Sequence, residues 1–151
     1  SSQGEQAKGP SAPSDYLVEP RDKTECALIE ASKYNEMPVL GICRGLQQIN
    51  LFHGGSLTPV EEHVALEHEL ASCNDDGQYS FPKRVNSFHA WGIYDKDLGD
   101  GMVPLAMAGN TVEAARHQEF KHFGIMWHPE RAREFDVADI ELFKDFFGAI
   151  I

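Results

Sequence analysis

A chain of 151 residues with 42% apolar and 25% charged side chains fits one globular domain with a core of its own. A formal net charge of −11 repels phosphate backbones and argues against a broad nucleic-acid surface, and no apolar run approaches the ~20 residues of a membrane span. No basic-then-apolar signal segment opens the sequence, and Cys26, Cys43 and Cys73 suit neither a disulfide framework nor a zinc site, so free thiols in a reducing cytoplasm are expected.

Residues 1–15 are mostly Ser, Gly, Gln, Pro and Ala and read as a flexible arm or loop. A helix is expected from Asp22 to Asn35, with Asp22 as N-cap, Glu25 as capping-box partner, and Leu28, Ala31 and Tyr34 facing the core. Met37–Ile42 is a short apolar run of the kind that forms a strand covered on both faces. Arg44–Phe52 then reads as a helix stopped by Gly54-Gly55. Leu57–Leu70 suits a loop with a short helix, and Asn74–Gly77 a turn. Arg84–Phe88 reads as a strand and Gly99–Gly101 as a turn. Leu105–Ala108, Thr111–His117 and His122–Trp127 have the spacing of hairpin strands. A last helix is expected over Val137–Phe147, capped by Asp136, with Ile140, Phe143 and Phe147 as its buried stripe.

Gly41-Ile42-Cys43-Arg44-Gly45 places a cysteine in a Gly-flanked turn between a strand and a helix. Such a turn lifts the sulfur off the sheet, and the first N–H groups of the helix favour thiolate and can hold an oxyanion. On these five residues alone, a structural cysteine beside two turn glycines explains the pattern equally well.

Residues 38–57, PVLGICRGLQQINLFHGGSL, closely resemble the nucleophile segment of class I glutamine amidotransferases, above all the γ-glutamyl-γ-aminobutyrate hydrolase, or peptidase C26, branch. Gly124–Glu130 is similar to that family's G-x-x-WHPE segment, Val85–His89 to a third family segment, and Arg21-Asp22 with Glu25 to the run ahead of the nucleophile strand. The resemblance covers roughly residues 16–147 and implies an α/β, flavodoxin-like fold: a parallel sheet flanked by helices, with a small antiparallel addition. Residues 16–151 would be the C-terminal, nucleophile-bearing part of such a domain. The family's upstream strands, with a second oxyanion donor, have no counterpart here and are expected in a longer polypeptide.

The resemblance implies Cys43 as nucleophile, His128 as proton carrier and Glu130 as its orienting acid. The Arg44 N–H would be one oxyanion donor. Gln47, Ser87 and Phe88 match family positions around the γ-glutamyl group, and His89 shares their segment. The implied reaction cleaves a γ-glutamyl amide through a thioester, with no metal or organic cofactor. His63 and His68, five apart and outside any HExxH pattern, do not change that expectation. Expected partners are a small γ-glutamyl substrate and, besides the upstream half, a homodimer mate or a synthetase receiving ammonia. The ending WHPERAREFDVADIELFKDFF is similar to relatives associated with surface-polysaccharide pathways. There the leaving group would be a nucleotide amidate, with Arg131 and Arg133 meeting its phosphate. A non-catalytic ligand-binding relative is the remaining alternative.

Overall fold

The computed structural model describes residues 20–60, 64–73, 79, 81–88, 90–131 and 137–148. In chain order the elements are α1 (Pro20–Asn35), β1 (Val39–Ile42), α2 (Arg44–Phe52), β2 (Thr58–Pro59), β3 (Val64–Glu69), β4 (Ala71–Ser72), β5 (Arg84–Phe88), β6 (Trp91–Gly92), β7 (Met102–Ala108), β8 (Thr111–His117), β9 (His122–Ile125) and α3 (Val137–Gly148). Short 3₁₀ turns cover Asp95–Asp97 and Pro129–Arg131. The expected arm and the Asn74–Gly77 turn lie outside the described residues, as do His63, His89, Arg133 and Asp136.

One parallel pair organises the main sheet. β1 runs beside β9, and β8, β7 and β4 follow antiparallel in the order β1-β9-β8-β7-β4. The architecture is α/β, as expected, although among the described residues parallel pairing is confined to β1–β9. β1 is the edge of this described sheet. That explains why Val39, Leu40 and Ile42 are only half-buried where a strand covered on both faces was expected.

Alternation along β9 divides the core. Phe123 and Ile125 face a cluster with Trp127, Leu142 and Phe146 on the α3 side, while Met126 joins Leu46, Ile49 and Ile29 on the α1/α2 side. α2 lies very close to the sheet. Gly41 and Gly124 are register partners, and an added Cβ would stand 2.4 Å from the Gly45 backbone at the first and 2.6 Å from the Leu46 side chain at the second.

Both outer helices bury a different stripe from the one their apolar residues suggest. In α1, Leu28 and Tyr34 are exposed and Ile29 and Ser32 are buried. Its first turn begins at Pro20, so Asp22 lies inside the helix rather than at its cap. In α3, Asp139, Leu142 and Phe146 are buried, while Ile140 and Phe147 are exposed and Phe143 is half-buried. Leu57–Leu70 holds strands β2 and β3 rather than a short helix, because Glu67, His68 and Glu69 pair with Asn86, Val85 and Arg84 of β5.

Candidate active site

Cys43 is the single residue between β1 and α2. Its φ of 54° and ψ of −100° lie where a non-glycine residue carries about 1–3 kcal/mol of strain. Hydrogen bonds on both sides hold it there: its N–H donates to Ile125 O at 2.7 Å, and its carbonyl accepts from Gln47 N at 3.1 Å. Gly41 is sterically required by the closeness of α2, whereas a Cβ on Gly45 would meet nothing within 4 Å. Only one of the two flanking glycines is therefore needed for the bend.

Burial pushes the Cys43 thiol up to about 11, and the Glu113 and Glu130 carboxylates add to the rise. A hydrogen bond from the Arg44 backbone N–H and the charge of Arg131 pull the other way without overcoming it. The helix N-terminus was expected to favour thiolate. Desolvation wins, and the thiol form is favoured.

The parallel register sets Ile42 against Ile125, so Cys43 follows one strand end and Met126-Trp127-His128 the neighbouring one. His128 Nδ1 lies 2.7 Å from Glu130 Oε2. That contact engages Nδ1 of the imidazole. The histidine side chain is 15% exposed and the carboxylate 55% exposed, so Glu130 sits at the rim. Partial burial alone would raise the Glu130 carboxyl, but the His128 hydrogen bond, with help from Arg131, holds it below its ordinary value. Glu130 and Arg131 both reach Cys43 electrostatically across about 87 residues of sequence.

The remaining expected site residues have the following places. Gln47 is buried and donates through Nε2 to Trp91 O at 2.9 Å, tying α2 to the segment after β5. Ser87 is fully buried on β5, and Phe88 is that strand's last residue. Arg131 is exposed, and its N–H donates to His128 O at 3.0 Å. Among the described residues, no cluster of three or more His, Cys, Asp or Glu could hold a metal ion, and no helix is long and apolar enough to cross a membrane.

Three neighbours of the site were not singled out from sequence. Asn86 on β5 contacts the His128 backbone at two points. Asp139 accepts from Trp127 Nε1 at 2.8 Å, locking α3 onto the residue before His128. Glu113, fully buried on β8, accepts the Met126 N–H through its backbone carbonyl at 2.8 Å. Each contact spans 12 residues or more, so the sequence marks none of these roles, although Asn86 lies within the family-like segment Val85–His89.

The fold is that of the glutamine amidotransferases. A solved glutamine amidotransferase from Thermotoga maritima superimposes with a TM-score of 0.68 at 21% identity, covering 98% of this chain and 70% of that one. The profile of the peptidase C26 family matches residues 5–130, and the chain belongs to that family. A γ-glutamyl-CDP-amidate hydrolase from Campylobacter jejuni is 37% identical over 138 residues, covering 90% of this chain and 63% of that protein. A glutamine-hydrolyzing GMP synthase component from Pyrococcus furiosus is 32% identical over 116 residues, covering 75% of this chain and 61% of that protein. This chain thus spans somewhat less than two thirds of either curated relative.

Proposed function

We propose that the protein hydrolyses a γ-glutamyl amide through a γ-glutamyl thioester on Cys43. The observation that carries this reading is the strained cysteine at the end of β1, beside the strand that leads into the His128–Glu130 pair. Because burial keeps the sulfur protonated, His128 takes the thiol proton as Cys43 Sγ attacks the γ-carbonyl carbon. The Arg44 N–H, already directed at the sulfur, is placed to donate to the developing oxyanion. Collapse breaks the C–N bond, and His128 returns the proton to the departing amine. A water then attacks the thioester, giving its proton to His128, and glutamate leaves as the sulfur recovers the proton. Glu130 holds the imidazole in the tautomer that keeps Nε2 open.

The leaving group in this reading carries a phosphate, as in a nucleotide amidate. The exposed Arg131 beside Glu130 supplies local positive charge in a chain of net charge −11, and the Campylobacter jejuni relative bears the name of a hydrolase for such a compound. The test is release of glutamate, followed by mass spectrometry, from a panel of γ-glutamyl nucleotides, γ-glutamyl polyamines, γ-glutamyl-γ-aminobutyrate and glutamine. Preferential turnover of the nucleotide substrates supports the full reading. Preference for glutamine in the presence of a synthetase would replace it with ammonia transfer. No turnover of any amide by the full chain would overturn it.

A further inference from the structure

We propose that Asn86 is a positioning residue that fixes the backbone of His128, and through it the imidazole that serves Cys43; this rests on the hydrolase reading above. The Asn86 side-chain amide meets His128 twice. Oδ1 accepts the His128 backbone N–H at 2.8 Å, and Nδ2 donates to the His128 carbonyl at 2.8 Å. Both halves of the amide are thus used with the correct polarity, and only one orientation of the side chain satisfies them. A two-point clamp restrains rotation as well as translation of the peptide it grips. A single hydrogen bond does not.

His128 needs such a restraint. It lies three residues beyond the last residue of β9, where the sheet ladder no longer holds the backbone. The Pro129–Arg131 turn that follows ties it through the Arg131 N–H to the His128 carbonyl, and Glu130 is half-exposed at the rim. Asn86 supplies the missing fixed point from a different sheet. It sits on β5, paired with Glu67 of β3, and its neighbours Val85 and Ser87 are buried. The strand is therefore anchored on the alternate face while Asn86 points toward the His128 peptide. A base displaced by about 1 Å can lose on the order of 10² in rate, so the clamp has catalytic consequences without touching substrate.

The conservative variant separates geometry from charge. Asn86→Asp keeps the bond from the His128 N–H and sets a carboxylate oxygen against the His128 carbonyl. It should retain part of the clamp while adding negative charge near the imidazole, which raises the pKa of the base.

The experiment is a double-mutant cycle read by alkylation of Cys43 with iodoacetamide in the full chain, which needs no substrate. Thermal melting confirms that each variant is folded. Asn86→Ala is expected to slow alkylation at pH 7 by about 10- to 100-fold, toward the rate of His128→Ala, and to have no further effect in the His128→Ala background. Asn86→Asp is expected to fall between wild type and Asn86→Ala, with its pH–rate profile displaced to higher pH. In hydrolysis, Asn86→Ala should lower kcat with KM little changed. The inference is overturned if Asn86→Ala alkylates at the wild-type rate, or if it slows alkylation equally with and without His128. Failure of the hydrolase reading looks different: wild type turns over no γ-glutamyl amide, while the alkylation cycle still reports whether Asn86 acts through His128.

Discussion

α2 and β9 each connect the two poles of the molecule, and each pole receives histidines that are treated in opposite ways. α2 is capped by Cys43 at its start and by His53 at its end; β9 starts at His122 and leads to His128. At the Cys43 pole the His128 imidazole meets the Glu130 carboxylate through Nδ1. At the other pole the histidines satisfy one another. His53 Nε2 and His122 Nδ1 are 2.9 Å apart, His122 Nε2 lies 2.8 Å from Ser32 Oγ, and the Ser32 hydroxyl donates to Ile29 O at 2.7 Å. Traced from the serine, that chain fixes the tautomers: His122 donates through Nε2 and accepts from His53 through Nδ1. His117 stacks on His53 at 4.1 Å, donates to Asp100 O, and accepts two backbone N–H groups at Nδ1. What differs between the poles is the partner. One imidazole meets a carboxylate, whereas the buried chain of neutral partners disfavours a charged ring.

The largest effects should therefore fall at one pole only. Cys43→Ala and His128→Ala should each remove hydrolysis by on the order of 10⁵-fold. His53→Phe and His117→Phe should leave kcat within about twofold and instead lower the melting temperature, by a few degrees for each ~1 kcal/mol lost. A catalytic defect in either phenylalanine variant would break the comparison.

Acid should separate the poles next. Burial, with the neighbouring His117 and the charge of Lys33 adding to it, pulls His53 and His122 down to about 4, and His117 is lowered as well, mainly by burial. Lys33, set over the Phe52 and Phe120 rings, is the cation facing this cluster, and Asp100 and Glu119 are its nearest acids. In the unfolded chain these imidazoles take up protons below about 6.5, while in the folded protein His53 and His122 stay neutral until about 4. The unfolded state then binds more protons, so the stabilisation is complete above pH 6.5 and is lost progressively as pH falls toward 4. About 2 kcal/mol should disappear across that window, a value discounted for the half-open position of His53. Asp97 belongs to a lower window. Its burial raises it, but bonds from Ser56, Tyr94 N and Thr58 leave its carboxyl below the ordinary range. Denaturant melts at pH 7, 5.5 and 4.5 on wild type and His53→Phe test this, with a flatter pH dependence expected in the variant.

Glu130→Gln should have a smaller effect than His128→Ala, retaining about 10²-fold more activity, because the orienting acid is replaced while the proton carrier remains. Its exposure at the rim also lets water take part of its role. Equal losses in the two variants would assign Glu130 more than an orienting role.

Local pattern made α2, β5 and the β7–β9 meander legible from sequence, with α2 and β5 matching residue for residue. The strand-to-helix turn at Cys43 was legible for the same reason, since strand, glycine, cysteine and helix are consecutive. The buried faces of α1 and α3 were not. Each is displaced by one residue from the apolar stripe, and in each one of the positions taken inside is polar: Ser32 meets His122 and Asp139 meets Trp127. A buried ring N–H without an acceptor would cost about 1–3 kcal/mol, more than exposing Leu28 or Ile140 in part. Those acceptors lie 90 and 12 residues from the rings they serve, and only the assembled fold shows the need for them. The low thiolate character of Cys43 was hidden for a similar reason. The helix N-terminus is local, whereas the burial that outweighs it comes from the whole core.

The smallest effect concerns the two arginines after Glu130. Arg131 is exposed, yet its charge reaches both Cys43 and Glu130. A guanidinium can hold two phosphate oxygens at once, and it offsets the repulsion that a chain of net charge −11 exerts on an anionic substrate. An exposed charge contact of this kind is worth up to about 1 kcal/mol, which corresponds to a several-fold change in affinity. Replacing Arg131 and Arg133 together by Ala should therefore raise KM for a γ-glutamyl nucleotide about three- to tenfold with kcat nearly constant, and added salt should shrink the difference. For a cationic polyamine-type substrate the same double change should leave KM unchanged or lower it, because Glu130 then acts on the incoming charge without opposition. Steady-state kinetics on both substrates at low and high ionic strength decide the matter. Equal effects on the two substrates would remove the arginines from leaving-group recognition and leave the nucleotide assignment without support from this side of the site.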